Sequence, residues 1–126
     1  MKNYYQQKKG GWSLEPVIYA KTVKQIQCYR FFEQIVQRYE SASPDRRTED
    51  WMTDKMVAEQ YLEAIDLGLQ HYVPAQYREP VFSHLVDGAE YLNLEEQYFV
   101  SASTLKRYVQ AFVWGVAAEL GENFLN

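Results

Sequence analysis

Five polar side chains near the C-terminal end of the chain have the chemistry of a nucleic-acid surface: Ser103, Thr104, Lys106, Arg107 and Gln110. Hydroxyl groups bond phosphates or either base edge, lysine and arginine reach phosphates or guanine, and glutamine pairs with adenine. The five residues belong to a predicted helix that begins at Ser101 or Ser103. Short polar and basic groups near a helix N-terminus are typical of a DNA recognition helix, whose other face packs inward.

This helix is predicted to run to Leu120, because Gly121 is a helix terminator and an apolar stripe repeats at helical spacing. The stripe is Leu105, Val109, Phe112, Val113, Val116 and Leu120. Trp114 shares the polar side, where an exposed tryptophan suggests a protein interface or a phosphate-side contact. An alternative stays open, in which Lys106 and Arg107 are the solvated face of an ordinary amphipathic helix.

Patterns that support catalysis are not found in the sequence. His71 and His84 are thirteen residues apart, no Cys/His pair has metal-ligand spacing, and there is neither a glycine-rich phosphate loop nor a nucleophile elbow. The carboxylates fall on predicted outer faces or in first helical turns, where solvation accounts for them. We therefore expect a protein that is not an enzyme and that binds no cofactor or metal.

Two long N-terminal helices are expected to support the candidate site. The first runs from a Ser13 cap to about Tyr39 or Glu40, and the second runs from Thr48 to about Leu69. Both carry apolar stripes at helical spacing, and the breaker cluster at 41–47 separates them, so they should pack antiparallel. Residues 1–12 are polar and basic, include Gly10 and Gly11 near their end, and are predicted to be a flexible arm.

The remaining chain, 73–126, is predicted to form a helix-turn-helix. Its first helix, Ala75–Asp87, should end at Gly88 in the left-handed conformation, and a short helix at Asn93–Tyr98 precedes the helix at about 102–120. No segment alternates with a period of two, so we expect no sheet. The predicted fold is an all-α bundle in one domain, 13–126, with a helical hairpin at 13–72.

Composition restricts the partners and the compartment. No apolar run approaches the roughly 20 residues of a membrane span, and no leader opens the chain, so no membrane contact is expected. Cys28, the single cysteine, should be a small buried apolar residue in a reducing cytoplasm. The net charge is −4, and residues 74–126 hold three basic against seven acidic side chains, so a DNA contact there would use few charges.

Two segments resemble phage and prophage late-gene transcription regulators of the ArpU/RinA type. The segments are VPAQYREPVFSHLVDG and STLKRYVQAFVWGVAAELG, which together span residues 73–121. The arrangement is also similar to region four of bacterial sigma factors, whose recognition helix opens with a comparable V-S-x-x-x segment. No motif of this kind is found in the N-terminal helices.

The resemblance implies sequence-specific binding of double-stranded DNA in control of a phage packaging or lysis operon. It implies that DNA is contacted by Ser103, Thr104, Lys106, Arg107 and Gln110. It also implies that Arg78 contacts the DNA backbone. The N-terminal helices would then provide a homodimer or RNA-polymerase contact, since a two-fold dimer compensates for few basic contacts per subunit. The alternative is a protein-binding helical adaptor or phage-assembly accessory that does not contact DNA.

Overall fold

The structure, a computed structural model, describes residues 7–8, 11–12 and 14–121, and within these residues it is built almost wholly from helices. The helices are α1 (Pro16–Gln27), α2 (Tyr29–Ser41), α3 (Glu49–Tyr72), α4 (Ala75–Asp87), α5 (Tyr91–Tyr98) and α6 (Ala102–Glu119). A 3-10 turn at Pro44–Arg46 links α2 to α3. The all-α class predicted from the sequence is confirmed.

One small element was not predicted. Within the segment expected to be an arm, Gln7–Lys8 (β1) pairs antiparallel with Gly11–Trp12 (β2), and β2 lies beside α6. The predicted Ser13 cap lies outside the described residues. The first described cap is Glu15, and Pro16 follows at the first helical position, where its missing N–H costs nothing.

The long N-terminal helix that the sequence predicted is interrupted at one residue, Cys28, which divides it into α1 and α2. The Cys28 N–H is shared between the carbonyls of Lys24 and Gln25, each at 3.2 Å, and the regular ladder resumes where the Phe32 N–H bonds the Cys28 carbonyl at 2.9 Å. As a result α1 packs on α4 and α6, whereas α2 packs mainly on α3. Cys28 is exposed at this break, which corrects the expectation of a buried cysteine.

The other helix boundaries follow local signals closely. The Thr48 hydroxyl accepts the Trp51 N–H at 3.2 Å and starts α3, which continues beyond the predicted end at Leu69 to Tyr72. Gly88 ends α4 in the left-handed conformation, with φ 73°. The short helix α5 begins two residues earlier than predicted, after Glu90 rather than after an Asn93 cap.

The core is centred on α6, which packs against α1, α3, α4 and α5. Along its second half almost every side of α6 is covered, since Ala111, Phe112, Val113, Gly115, Val116 and Ala117 are all buried. By contrast, α2 has no fully buried residue between 29 and 41. Helix α2 therefore contributes less to the core than its apolar stripe predicted.

Within the part of the chain that the structure describes, no helix combines the length and the hydropathy needed to span a bilayer.

Candidate nucleic-acid interface

The candidate site is built by α4, α5 and α6, which contact one another. Between α5 and α6 lie three residues, Phe99, Val100 and Ser101. Phe99 adopts the left-handed conformation with φ 55° and ψ 45°, which turns the chain sharply, and Val100 packs against the core cluster. A helix, a turn of three or four residues and a second helix is the geometry of a helix-turn-helix motif.

A network of hydroxyl groups starts α6. The Ser101 Oγ accepts the Thr104 N–H at 3.2 Å, and it also donates to the Thr104 Oγ1 at 2.9 Å. The Ser103 Oγ lies 3.2 Å from the Ser101 Oγ. Two hydroxyl groups were predicted to contact DNA. Ser103 is exposed, whereas Thr104 is half-buried and its hydroxyl is part of the cap.

Four of the predicted site residues lie on one exposed stripe of α6: Ser103, Lys106, Arg107 and Gln110. Lys106 and Arg107 follow Ser103 by three and four residues, and Gln110 follows it by seven, so the four side chains share one side of the helix. The opposite side is buried through Leu105, Val109 and Phe112. The first half of α6 thus presents a polar, basic surface that is held in place by an apolar anchor.

Aromatic rings support both cations on this stripe. The Lys106 Nζ lies 5.4 Å from the centre of the Tyr91 ring, and the Arg107 Cζ lies 5.0 Å from the centre of the Tyr108 ring. Tyr108 in turn stacks on Tyr77 of α4 at 4.7 Å. Cation–π contacts of this kind restrict the conformations of the two side chains, while their charged groups remain exposed to solvent.

Arg78 has a structural role that sequence reasoning missed. Its Nε donates to the Val73 carbonyl and its terminal nitrogen Nη2 to the Gln70 carbonyl, both at 2.8 Å, so the guanidinium caps the C-terminal end of α3. The predicted contact of Arg78 with the DNA backbone stays a prediction. We leave it out of the candidate interface, because binding a phosphate there would compete with these two hydrogen bonds.

Trp114 does not form the exposed tryptophan that the sequence suggested. It is half-buried, and its ring lies 5.5 Å from the ring of Tyr72 in α3. The helical pattern of α6 placed it on the polar side, but α3 crosses this part of α6 and covers it. The candidate interface therefore ends at Gln110.

The surface beside the stripe carries apolar and acidic groups. On α5, Leu92 is 64% exposed, Phe99 at the end of the helix is 94% exposed, and Glu95 and Glu96 lie between them. No local signal in the sequence predicted that Phe99 would be so exposed. Its left-handed backbone turns the ring away from the core.

Carboxylates and phenols surround this region. Burial, followed by a hydrogen bond to Glu79, raises the pKa of Tyr98, and burial, followed by the charge of Tyr19, raises the pKa of Tyr91. Both phenols are therefore neutral near pH 7. Among residues 14–121 there is no group of three or more histidine, cysteine or carboxylate side chains arranged to hold a metal ion.

Comparisons of the chain with protein-family models, with curated proteins and with solved structures give no match.

Proposed function

We propose that this protein is a sequence-specific DNA-binding transcription regulator of the phage or prophage type, which places the first half of α6 in the major groove. The observation that carries the proposal is the stripe of Ser103, Lys106, Arg107 and Gln110. Each of these side chains is exposed and chemically able to contact a base edge or a phosphate. The stripe also follows directly on the three-residue turn after α5, where a recognition helix begins.

The resemblance of residues 73–121 to ArpU/RinA-type regulators supports the same proposal and suggests control of a late phage operon in the cytoplasm. Two cations per subunit give weak electrostatic binding, and Glu95 and Glu96 reduce it further. A homodimer on a two-fold site doubles the contacts and is part of the proposal. RNA polymerase is the partner expected for an activator bound beside a promoter.

A protein-binding adaptor is the second candidate, and a specific observation favours it. Leu92 and Phe99 expose large apolar surfaces beside two glutamates on α5. Exposed apolar groups with an acidic border suit a basic protein partner better than they suit DNA. The two candidates differ in whether Lys106 and Arg107 contact a polyanion.

Fluorescence anisotropy with pooled genomic DNA fragments at low and physiological salt tests the proposal. The wild type should bind with an affinity that falls steeply as salt rises, because bound cations release counterions from DNA. The variant Lys106→Ala/Arg107→Ala should lose this binding. It removes both cations of the stripe and touches no buried side chain.

A matched control removes the same charges elsewhere. Lys24 and Arg46 are exposed and lie outside α6, on α1 and in the 3-10 turn, so Lys24→Ala/Arg46→Ala should bind DNA like the wild type. Equal losses in both double variants would mean nonspecific attraction by net charge. If the wild type does not bind DNA even at low salt, the proposal is wrong and the adaptor becomes the better explanation.

A further inference from the structure

The α2–α3 hairpin has one face that combines exposed apolar side chains with unpaired charges of opposite sign. Arg38 of α2 and Asp54 of α3 line the same small pocket with Ile35, Tyr39 and Trp51, so they mark one face of the hairpin and lie at the same level. Among residues 14–121 neither side chain has an ion-pair partner within the chain. We call this surface the hairpin face.

Apolar side chains continue the hairpin face toward the base of the hairpin. Phe31 precedes Arg38 by seven residues and Val57 follows Asp54 by three, so both belong to the same face at helical spacing. Phe31 is 55% exposed, and Val57 is also exposed. Farther from the loop between α2 and α3, Phe32 stacks on Tyr61, and both residues line a groove of about 500 Å³ together with Cys28.

The two edges of the hairpin face carry opposite charge. On the α2 edge, Phe31 and Arg38 are seven residues apart and share one side of the helix, so Arg38 supplies the positive charge of this edge. On the α3 edge, Asp50 and Asp54 precede Val57, with no basic residue at these positions. A surface that is basic along one edge and acidic along the other is complementary to itself when it is rotated by a two-fold axis between the edges.

We propose that the hairpin face is the self-association surface of this protein, and that two copies pack their hairpins into an antiparallel four-helix bundle. If the two-fold axis is parallel to the helices, α2 of each copy lies between two α3 helices, its own and that of the partner subunit. Both α3 helices run antiparallel to this α2. Levels along the axis are preserved, so Arg38 faces Asp54 of the partner subunit. Phe31 then packs near Tyr61 and Val57 of the partner subunit.

This arrangement accounts for the absence of fully buried residues in α2, because the second copy covers the face that the chain itself leaves open. It also places α4, α5 and α6 of both copies at the same end of the bundle. The inference names the surface of the homodimer in the proposed function, yet it does not depend on DNA, since self-association is measured on the protein alone.

Sedimentation equilibrium of the full chain without DNA tests the inference with charge-reversal variants. Arg38→Asp and Asp54→Arg each replace two attractive pairs by two repulsive ones, so each should raise the dimer Kd by about tenfold or more. An equimolar mixture of the two variants should dimerise within about threefold of the wild type, because every facing pair is again attractive. An ion pair within one chain cannot produce this recovery on mixing.

Apolar variants give an independent readout. Phe31→Glu should raise the dimer Kd by about tenfold or more, since it places a carboxylate in the bundle. Met56 has the same 55% exposure but lies two residues from Asp54, on the opposite side of α3, so Met56→Glu should leave the Kd within about twofold. Circular dichroism and thermal melting should show all variants folded.

Either of two results overturns the inference: a wild type that remains a monomer at high micromolar concentration, or a dimer whose Kd is insensitive to the Arg38, Asp54 and Phe31 variants. The Lys106→Ala/Arg107→Ala variant should retain the dimer mass. A wild type that dimerises but does not bind DNA would count against the proposed function alone, and a monomeric wild type that still binds DNA would count against the hairpin face alone.

Discussion

At the residue scale, the first two turns of α6 place the side chains that start the helix beside the side chains of the candidate interface. Ser101 and Thr104 bond each other and start the helix, whereas Ser103, Lys106 and Arg107 are exposed on its surface. A substitution at a cap changes helix stability, but a substitution on the stripe changes only what the helix can contact. This separation allows the candidate interface to be altered without unfolding the protein.

Gln110 and Lys106 should differ in what they contribute to DNA binding. Gln110→Ala should cost about 1–3 kcal/mol at the preferred site and little elsewhere, because an amide distinguishes bases but carries no charge. Lys106→Ala should weaken binding to all sequences similarly and reduce the salt slope by about 1. Anisotropy titrations over a salt series on specific and random duplexes measure both effects. A Gln110→Ala variant with unchanged preference would remove Gln110 from base contact.

Phe99 should make the protein less stable than a glycine at the same position would. A left-handed backbone favours glycine, and a ring that is 94% exposed gains little from burial. Phe99→Gly should therefore raise the free energy of unfolding by about 0.5–1 kcal/mol in urea denaturation. The control is Gly88→Ala, at a residue with φ 73°, which should lower the free energy of unfolding by about 1 kcal/mol. A clear loss of stability in Phe99→Gly would show that the ring makes contacts that stabilise the fold.

At the element scale, the close approach of α3 and α6 positions the candidate interface. Gly68 and Gly115 lie where the two helices cross, and a Cβ on Gly115 would collide with the ring of Tyr72. The absence of side chains lets Val116 and Tyr72 pack directly on backbone. Because α6 is fixed on α3 in this way, its first half extends toward solvent with a defined orientation.

Gly68→Ala should therefore destabilise the protein although alanine favours helices. Its Cβ would lie 2.7 Å from the Val116 Cγ2 and 2.8 Å from the Val116 backbone nitrogen, so α3 and α6 would have to separate. We expect a loss of about 1–3 kcal/mol in the free energy of unfolding. Gln60→Ala, at an exposed position of the same helix, should stay within about 0.5 kcal/mol of the wild type. Equal stability of the two variants would contradict the close approach.

At the scale of the whole molecule, one aromatic cluster joins the hairpin to the helices of the candidate interface. The Tyr29 hydroxyl donates to Asp66 at 3.0 Å, and its ring meets Phe82 of α4 edge-on at 5.0 Å. Arg30 beside it bonds Asp87 at the end of α4. These contacts connect α2, α3 and α4, so the position of the hairpin relative to the interface depends on them.

Tyr29 should make stability sensitive to alkaline pH. Burial, followed by the Asp66 carboxylate, raises the pKa of Tyr29 to about 12. Because the folded value lies above the unfolded value of about 10, the stabilisation is complete below pH about 10 and is lost as pH rises through about 12. Urea unfolding across this range should show a smaller loss in Tyr29→Phe than in the wild type. Identical slopes would mean that Tyr29 ionises equally in both states.

The sequence by itself determined the elements whose signals are local. Thr48, Gly88 and Ser101 mark helix ends through one hydrogen bond or one backbone angle, so α3, α4 and α6 were predicted to within a few residues. The exposed stripe of α6 was predicted equally well, because an exposed face depends on helical spacing and on the apolar stripe opposite. Neither inference requires knowing which helix lies nearby.

Tertiary structure decided everything that depends on which helix covers a given side chain. The break at Cys28 lets α1 and α2 pack on different partners, and α3 covers Trp114 although its spacing assigns it to the polar side. Arg78 bonds carbonyls that are brought to it by the turn between α3 and α4, and Phe99 is exposed because its backbone is left-handed. Helical periodicity defines directions around one axis, and only the packing of the axes determines what lies in each direction.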